Sequence, residues 1–172
     1  MCGIAGIVNY NGRVVDRDLA RTMIRAISHR GPDGSGVYTD RHVGLGHARL
    51  SIIDLEGGSQ PMHNADNSLW ITFNGEIFNY VELRDELVEK GHKFATRSDT
   101  EVILHLYQEE GERCVERLNG QWAFAIWDAA HQKLFLSRDR LGVRPLFYTE
   151  TRDGFLFGSE IKALLACPQV EC

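Results

Sequence analysis

The residue pattern predicts an α+β chain whose largely antiparallel sheets are covered by helices. Three observations lead there. Short apolar runs closed by glycine and polar turns outnumber the helical segments. Most of these runs lack strict alternation, as expected of strands buried on both faces. In the second half of the chain they follow one another as hairpin-like pairs instead of alternating with helices.

Taken in order, the strand-like runs lie at 2–8, 36–38, 43–53, 69–73, 121–127, 134–137, 146–149 and 155–157. Between them fall segments of helical period. Leu19, Met23, Ile24 and Ile27 recur at spacings of three and four, with Asp16 and Asp18 near the positive end. Leu83, Leu87 and Val88 form a second stripe, with Asn79 as the expected cap and Gly91 as the stop. The third helix opens at Ser98, with Glu101 at the capping-box spacing, and carries Val102, Ile103, Leu106 and Tyr107 on one face. A short fourth helix is expected over 159–165.

The 172 residues suit one domain, on the usual scale of roughly 100–200 residues each. No repeat, low-complexity tract or long linker divides them. A net charge of −5 argues against nucleic acid or an anionic membrane as partner, since both call for a basic face. The longest apolar runs fall far short of the roughly 20 residues of a membrane span, and the N-terminal run lacks a basic leader. The expected compartment is cytoplasmic. Cysteines at 2, 114, 167 and 172 are too few and too scattered for a disulfide framework. Seven scattered histidines show no metal-ligand spacing, and neither Rossmann nor P-loop glycine patterns occur. Gly57-Gly58-Ser59 reads as a turn.

Cys2 directly after Met1 is the most unusual feature. Removal of the methionine would leave thiol and α-amine on one residue. With an amine pKa of about 7.7–8.0, such a residue carries its own general base. The plainer reading is a small buried residue opening a strand. Asn74-Gly75 is first a hairpin signal, but an Asn amide beside a Gly N–H also suits an oxyanion hole. Arg49 is either a strand-edge arginine or a bidentate clamp on a small carboxylate. Asp99 complements the third helix's dipole or, with Glu76, offers charge to an ammonium group. One arginine and two acids would match the zwitterionic end of an amino acid.

Six segments, in order, resemble the glutaminase domain of class II glutamine amidotransferases, in the asparagine synthetase branch. They are Met-Cys2-Gly-Ile, His29-Arg-Gly-Pro-Asp-Gly-Ser-Gly36, Gly46-His-Ala-Arg49-Leu-Ser-Ile52, Phe73-Asn-Gly-Glu-Ile-Phe-Asn79, Ser98-Asp-Thr-Glu-Val-Ile-Leu104 and Arg138-Asp-Arg-Leu-Gly-Val-Arg-Pro-Leu-Phe-Tyr148. The resemblance implies an N-terminal nucleophile hydrolase fold, a four-layer αββα sandwich of two antiparallel sheets between helices. It implies that Cys2 is the nucleophile, that Asn74 and Gly75 form the oxyanion hole, and that Arg49 clamps the α-carboxylate of L-glutamine. Gly75, Glu76 and Asp99 match the head-group positions, and Leu50, Ile52 and Ile53 the pocket wall. The Arg138-Asp139 loop is a family marker whose expected role is structural ion pairing.

Family members continue into a synthetase domain with a Ser-Gly-Gly-x-Asp-Ser loop, which this sequence lacks. The expectation is a glutaminase domain over 1–172 that hydrolyses glutamine and supplies ammonia to a synthetase domain in cis or trans, with a homodimer left open. It needs no cofactor of its own; ATP and Mg are expected only in the synthetase domain. Two other readings stand beside it: the glutaminase part of a related amidotransferase with another acceptor, and, were Met1 retained, a non-catalytic glutamine-sensing or docking module.

Overall fold

The computed structural model describes residues 1–10, 12–51 and 57–170. Nine strands build two antiparallel sheets among these residues. The first sheet has the order β2 (Gly34–Thr39), β3 (Val43–Arg49), β1 (Gly3–Asn9), β9 (Gly154–Gly158), β8 (Phe147–Glu150). The second runs β4 (Met62–His63), β5 (Leu69–Ile77), β6 (Gly120–Asp128), β7 (Lys133–Arg138). Helices α1 (Arg17–Ala26) and α4 (Ile161–Leu165) cover the first sheet, while α2 (Tyr80–Glu89) and α3 (Asp99–Glu110) cover the second.

Three apolar clusters fill the three gaps between these four layers. Ala5, Ile7, Ala48 and Leu156 meet Met23, Ile24 and Leu164 under α1 and α4. Ile71, Phe73, Phe124 and Ile126 meet Leu83, Leu87, Ile103 and Leu106 under α2 and α3. Between the sheets lie Ile4, Val43, Leu45, Ala123, Ala125, Trp127 and Phe157. Neighbours along β1, β5 and β6 therefore go to different cores, which is why the strands read as apolar runs without alternation. At Gly46 a Cβ would lie 2.3 Å from Ile24 Cγ1, so glycine lets α1 rest directly on β3.

Several local expectations are revised. Strand β5 runs straight through Asn74-Gly75, pairing them with Ala123 and Trp122, so the hairpin reading fails; pairing with a full-length neighbour outweighs a two-residue turn signal. The two-residue β4 was not foreseen, and the described part of β3 stops at Arg49. Asn79 stands at the start of α2 without capping it. Its side chain instead donates to Arg117 O and accepts from Asn119 N, each at 3.0 Å. Val88 is exposed, leaving Leu83 and Leu87 as the buried stripe of α2. Ser98 does cap α3, accepting from Thr100 N at 3.2 Å, but Glu101 turns away and takes Ala95 N and Thr96 N, both at 2.7 Å. The capping box is thus half formed. Residues from Asp99 to Tyr107 are all buried, because α3 is wedged between β5 and α2. The fourth helix begins at Ile161; Ser159 is spent accepting from Ile4 N at 2.9 Å.

Candidate active site

The side-chain period of two gathers the predicted residues. In β1, Ile4 and Val8 point between the sheets; in β3, Val43 and Leu45 do; in β5, Trp70 does. Continuing each parity toward one end of the sandwich gives Cys2, then His47 and Arg49, then Asn74 and Glu76. Register completes the arrangement, because Gly3 pairs with Ala48 and the next step sets Cys2 opposite Arg49. A pocket at this end is lined by Met1, Cys2, Arg49, Leu50, Asn74, Gly75, Glu76 and Asp99, joined by His47, Gln60 and Arg144. The described candidates therefore converge. Ile52 and Ile53 lie outside the described residues.

The Cys2 thiol is half-buried and held by the backbone of Leu50, donating to its carbonyl at 3.4 Å and accepting from its N–H at 3.3 Å. Arg30 Nε donates to Cys2 O at 2.9 Å, and Arg30 Nη1 is in turn anchored on Glu160 Oε1 at 3.1 Å. This ties down a chain end that would otherwise fray. Met1 is in place, so the Cys2 nitrogen here is an amide, and the Met1 thioether contacts the Arg144 guanidinium.

The oxyanion segment follows from the shortness of β4. That strand begins at Met62, paired with Ile71, so beyond Ile71 the outer edge of β5 has no strand partner among the described residues. Its orphan backbone groups are met by side chains instead. Phe73 N donates to Gln60 Oε1 at 2.6 Å, His47 Nε2 bonds Phe73 O at 3.1 Å, and Ile77 N donates to Asp99 Oδ2 at 3.1 Å. Alternation in an antiparallel ladder sends the N–H of Gly75, midway between Phe73 and Ile77, out of this same edge. Beside it Asn74 is 1% exposed, and its Nδ2 has no partner among the described residues. The Asn74 amide and the Gly75 N–H thus both face the pocket. Glycine at 75 is also demanded by packing, since a Cβ there would sit 2.3 Å from Gln121 O.

Charge is arranged around the rim. Arg49 and Arg144 lie on the lining with Glu76 and Asp99. Burial, with the nearby Glu76 charge, pushes the Asp99 carboxyl up to about 6 against hydrogen bonds from Ile77 and Thr100 that work the other way. A cation in the pocket would relieve that burial cost. Burial also drives His47 down to about 4, with Arg49 adding to the shift, so the imidazole is neutral.

Asp139 is not an ion-pair partner, as had been expected, but an acceptor for backbone N–H groups. Its carboxylate takes Leu141 N at 3.1 Å, Val143 N at 2.9 Å, Arg144 N at 3.0 Å and Trp122 N at 3.3 Å. Arg138 closes the same loop on Arg144 O at 2.6 Å. The pair shapes a turn that delivers Arg144 to the pocket.

His47, Gln60 and Arg144 were not singled out from the sequence. For His47 a signal existed, since it stands two residues before Arg49 on the same strand face. Gln60 and Arg144 gave none, because each is placed by a loop. The other described cysteines stay apart: Cys114 and Cys167 are buried, and burial raises the Cys114 thiol to about 12.

Over residues 1–172 the sequence matches the family described as glutamine amidotransferase domain. The chain belongs to that family. The amidotransferase domain is 49% identical to glutamine-hydrolyzing asparagine synthetase 3 of Bacillus subtilis, with 99% of this chain and 28% of that protein covered. It is 41% identical to glutamine-hydrolyzing asparagine synthetase 3 of Arabidopsis thaliana, covering 100% of this chain and 30% of the relative. The domain thus spans about three tenths of these relatives. Among solved structures, glutamine phosphoribosylpyrophosphate amidotransferase from B. subtilis superposes with a TM-score of 0.80 at 23% identity, over 96% of this chain and 43% of that one. At that identity the likeness speaks for the fold alone, two antiparallel sheets packed between helices. No helix among the described residues is long and apolar enough to cross a membrane.

Proposed function

We propose that the domain hydrolyses L-glutamine to L-glutamate and ammonia through a thioester on Cys2, and that the ammonia serves asparagine synthesis by a synthetase domain. The carrying observation is the open β5 edge, where Asn74 Nδ2 and Gly75 N–H face a pocket that also holds the Cys2 thiol. Removal of Met1 converts the Cys2 amide into an α-amine able to take the thiol proton. The thiolate adds to the side-chain amide carbon of glutamine, and Asn74 and Gly75 receive the oxyanion. The carbon–nitrogen bond breaks as the α-ammonium returns its proton to the leaving ammonia. Water then adds to the thioester, the carbon–sulfur bond breaks, and glutamate leaves with the thiol restored. Arg49 holds the α-carboxylate, Asp99 and Glu76 the α-ammonium, and Leu50, Ile52 and Ile53 the wall. The kinship to glutamine-hydrolyzing asparagine synthetases supports the choice of acceptor.

The deciding measurement is glutamate release from glutamine by the Met-free chain, verified by intact mass, against Cys2→Ala. The variant is expected to lose turnover by about 10⁴-fold or more while melting at the same temperature. A Met-free native chain that releases no glutamate, or a variant that retains full activity, overturns the assignment.

A further inference from the structure

Accepting that glutamine is hydrolysed at this pocket, we propose that His47 is the residue that positions the oxyanion donors against the nucleophile, acting as a pin between the two sheets in its Nε2–H form. Its place in the chain joins both halves of the site. On β3 it pairs with Ile4, two residues from Cys2, and stands two residues before Arg49. Its side chain crosses the sandwich to the carbonyl of Phe73, the residue immediately before Asn74. The other described side-chain bond bridging these strands, Thr72 Oγ1 to Gly46 O at 2.9 Å, is one step deeper in the core.

The tautomer follows from the partner. A carbonyl oxygen can only accept, so Nε2 carries the proton and Nδ1 is a bare acceptor. Nδ1 is buried with no partner among the described residues, and the residue lines the pocket. An imidazole needed for packing alone would not require a donor at this point. Here the donor satisfies a carbonyl on the strand edge that no β4 residue reaches, which would otherwise be buried and unpaired. With Gln60 on Phe73 N and Asp99 on Ile77 N, it fixes the β5 edge on both sides of Asn74-Gly75. Loss of this pin lets the Phe73-Asn74 peptide rotate and carries both oxyanion donors off their aim. Of the head-group residues, Arg49 stays paired with Gly34, Glu76 with Gln121, and Asp99 keeps its bond from Ile77 N.

The effect should therefore fall on kcat and spare KM. The experiment compares wild type, His47→Phe and His47→Gln in the Met-free full chain, measuring kcat and KM for glutamine. Nitrogen-detected NMR of the histidine ring supplies the tautomer in the wild type. Phe fills the space without a donor, whereas Gln can offer its Nε2 near the original position. We expect His47→Phe to lose about 10–100-fold in kcat, the scale at or below loss of one oxyanion donor, with KM changed by less than threefold. His47→Gln should recover most of that loss, and NMR should show a neutral ring protonated at Nε2. Full kcat in His47→Phe, a loss confined to KM, or an Nδ1–H ring each overturns the pin. If His47→Phe fails to fold, His47→Gln and the NMR decide: a folded Gln variant with kcat down more than tenfold, or the wrong tautomer, overturns it. Absence of glutamate release in the wild type is a separate result, which removes the glutaminase reading and the pin's catalytic role with it.

Discussion

The layer between the two sheets opens at both ends, and the two openings differ in kind. At one end Val8, Tyr10, Trp127, Leu134, Leu136 and Phe155 border a cavity of about 530 Å³; at the other the Cys2 pocket measures about 70 Å³. The larger space is bordered by the tail of the apolar core. Asn9, His42 and Gln132 also line it, and the Trp127 indole N–H there donates to Asp40 Oδ2 at 2.7 Å. The smaller pocket holds buried polar atoms with no partner among the described residues, on His47, Asn74 and Arg144. Strand parity builds both ends identically, so the buried polar atoms left without partners, and not polarity as such, mark where stability was given up. An unpaired buried polar group costs about 1–3 kcal/mol, which a packing role alone would not sustain. Volume alone would have chosen the wrong end.

If this contrast is correct, changes at the small pocket should alter rate and those at the large cavity should alter stability. The largest effect is expected from Asn74→Ala, which removes one oxyanion donor and should lower kcat by about 10²–10³-fold. The donor has no partner among the described residues, so deleting it removes a desolvated group along with its contacts. The melting temperature should stay within a few degrees of wild type. A variant that is equally active but much less stable would make Asn74 a core residue and erase the contrast.

Next in size is the acid response of substrate affinity. Asp99 has a pKa raised from 3.8 to about 6, so its charge is present above that value and fades as pH falls through it. An ammonium group binds the charged form, so KM for glutamine should rise about tenfold per pH unit below 6, until Asp99 is protonated in the substrate complex as well. Asp99→Asn should raise KM at pH 7.5 and flatten that dependence. His47 titrates at about 4 and lies outside the window. A wild-type KM that is level from pH 7 to pH 5 would remove Asp99 from the head-group site. For stability the sign is opposite: the folded state holds the Asp99 proton more tightly than the unfolded chain, so this group favours folding as pH falls from 6 toward 4. Glu101 works the other way. Despite burial, hydrogen bonds from His105, Thr96 and Ala95 hold it down at about 2, so its support is lost as pH falls below about 4.5.

Much of this was legible in the chain because chemistry and pattern coincide. Cys2 beside the start, a lone arginine among apolar neighbours and an Asn-Gly pair each state a local need. Their order along the chain fixed the family resemblance, and the αββα layers followed from it. What escaped was set by pairing at a distance. Asn74-Gly75 reads as a turn until β6 is laid beside it. Asn79 reads as a cap until the Arg117–Asn119 backbone arrives to compete for its amide. Asp139 looks like half an ion pair because the backbone N–H groups that a folded turn presents have no letter in the sequence. His47 was hidden for a related reason. Its role depends on β4 beginning only at Met62, a start marked by nothing but Pro61, which cannot donate to a ladder.

The smallest effect tests the far opening. Trp127 is 2% exposed and fills the inter-sheet layer while bonding Asp40. Trp127→Phe keeps an aromatic ring but loses volume and the indole donor. Asp40 still accepts from His42 N at 2.7 Å and Val43 N at 2.9 Å through its other oxygen, so the turn between β2 and β3 should hold. The expected cost is about 1–3 kcal/mol, from a lost hydrogen bond to a charged group and looser packing. Denaturant titration would measure it. Because Trp127 lies beyond the apolar middle of the layer from Cys2, kcat and KM should match wild type within about twofold. If Trp127→Phe instead slowed turnover in step with its loss of stability, the sheets would be moving as one elastic body. The site would then depend on the packing of the whole inter-sheet layer, and the contrast between its ends would lose its force.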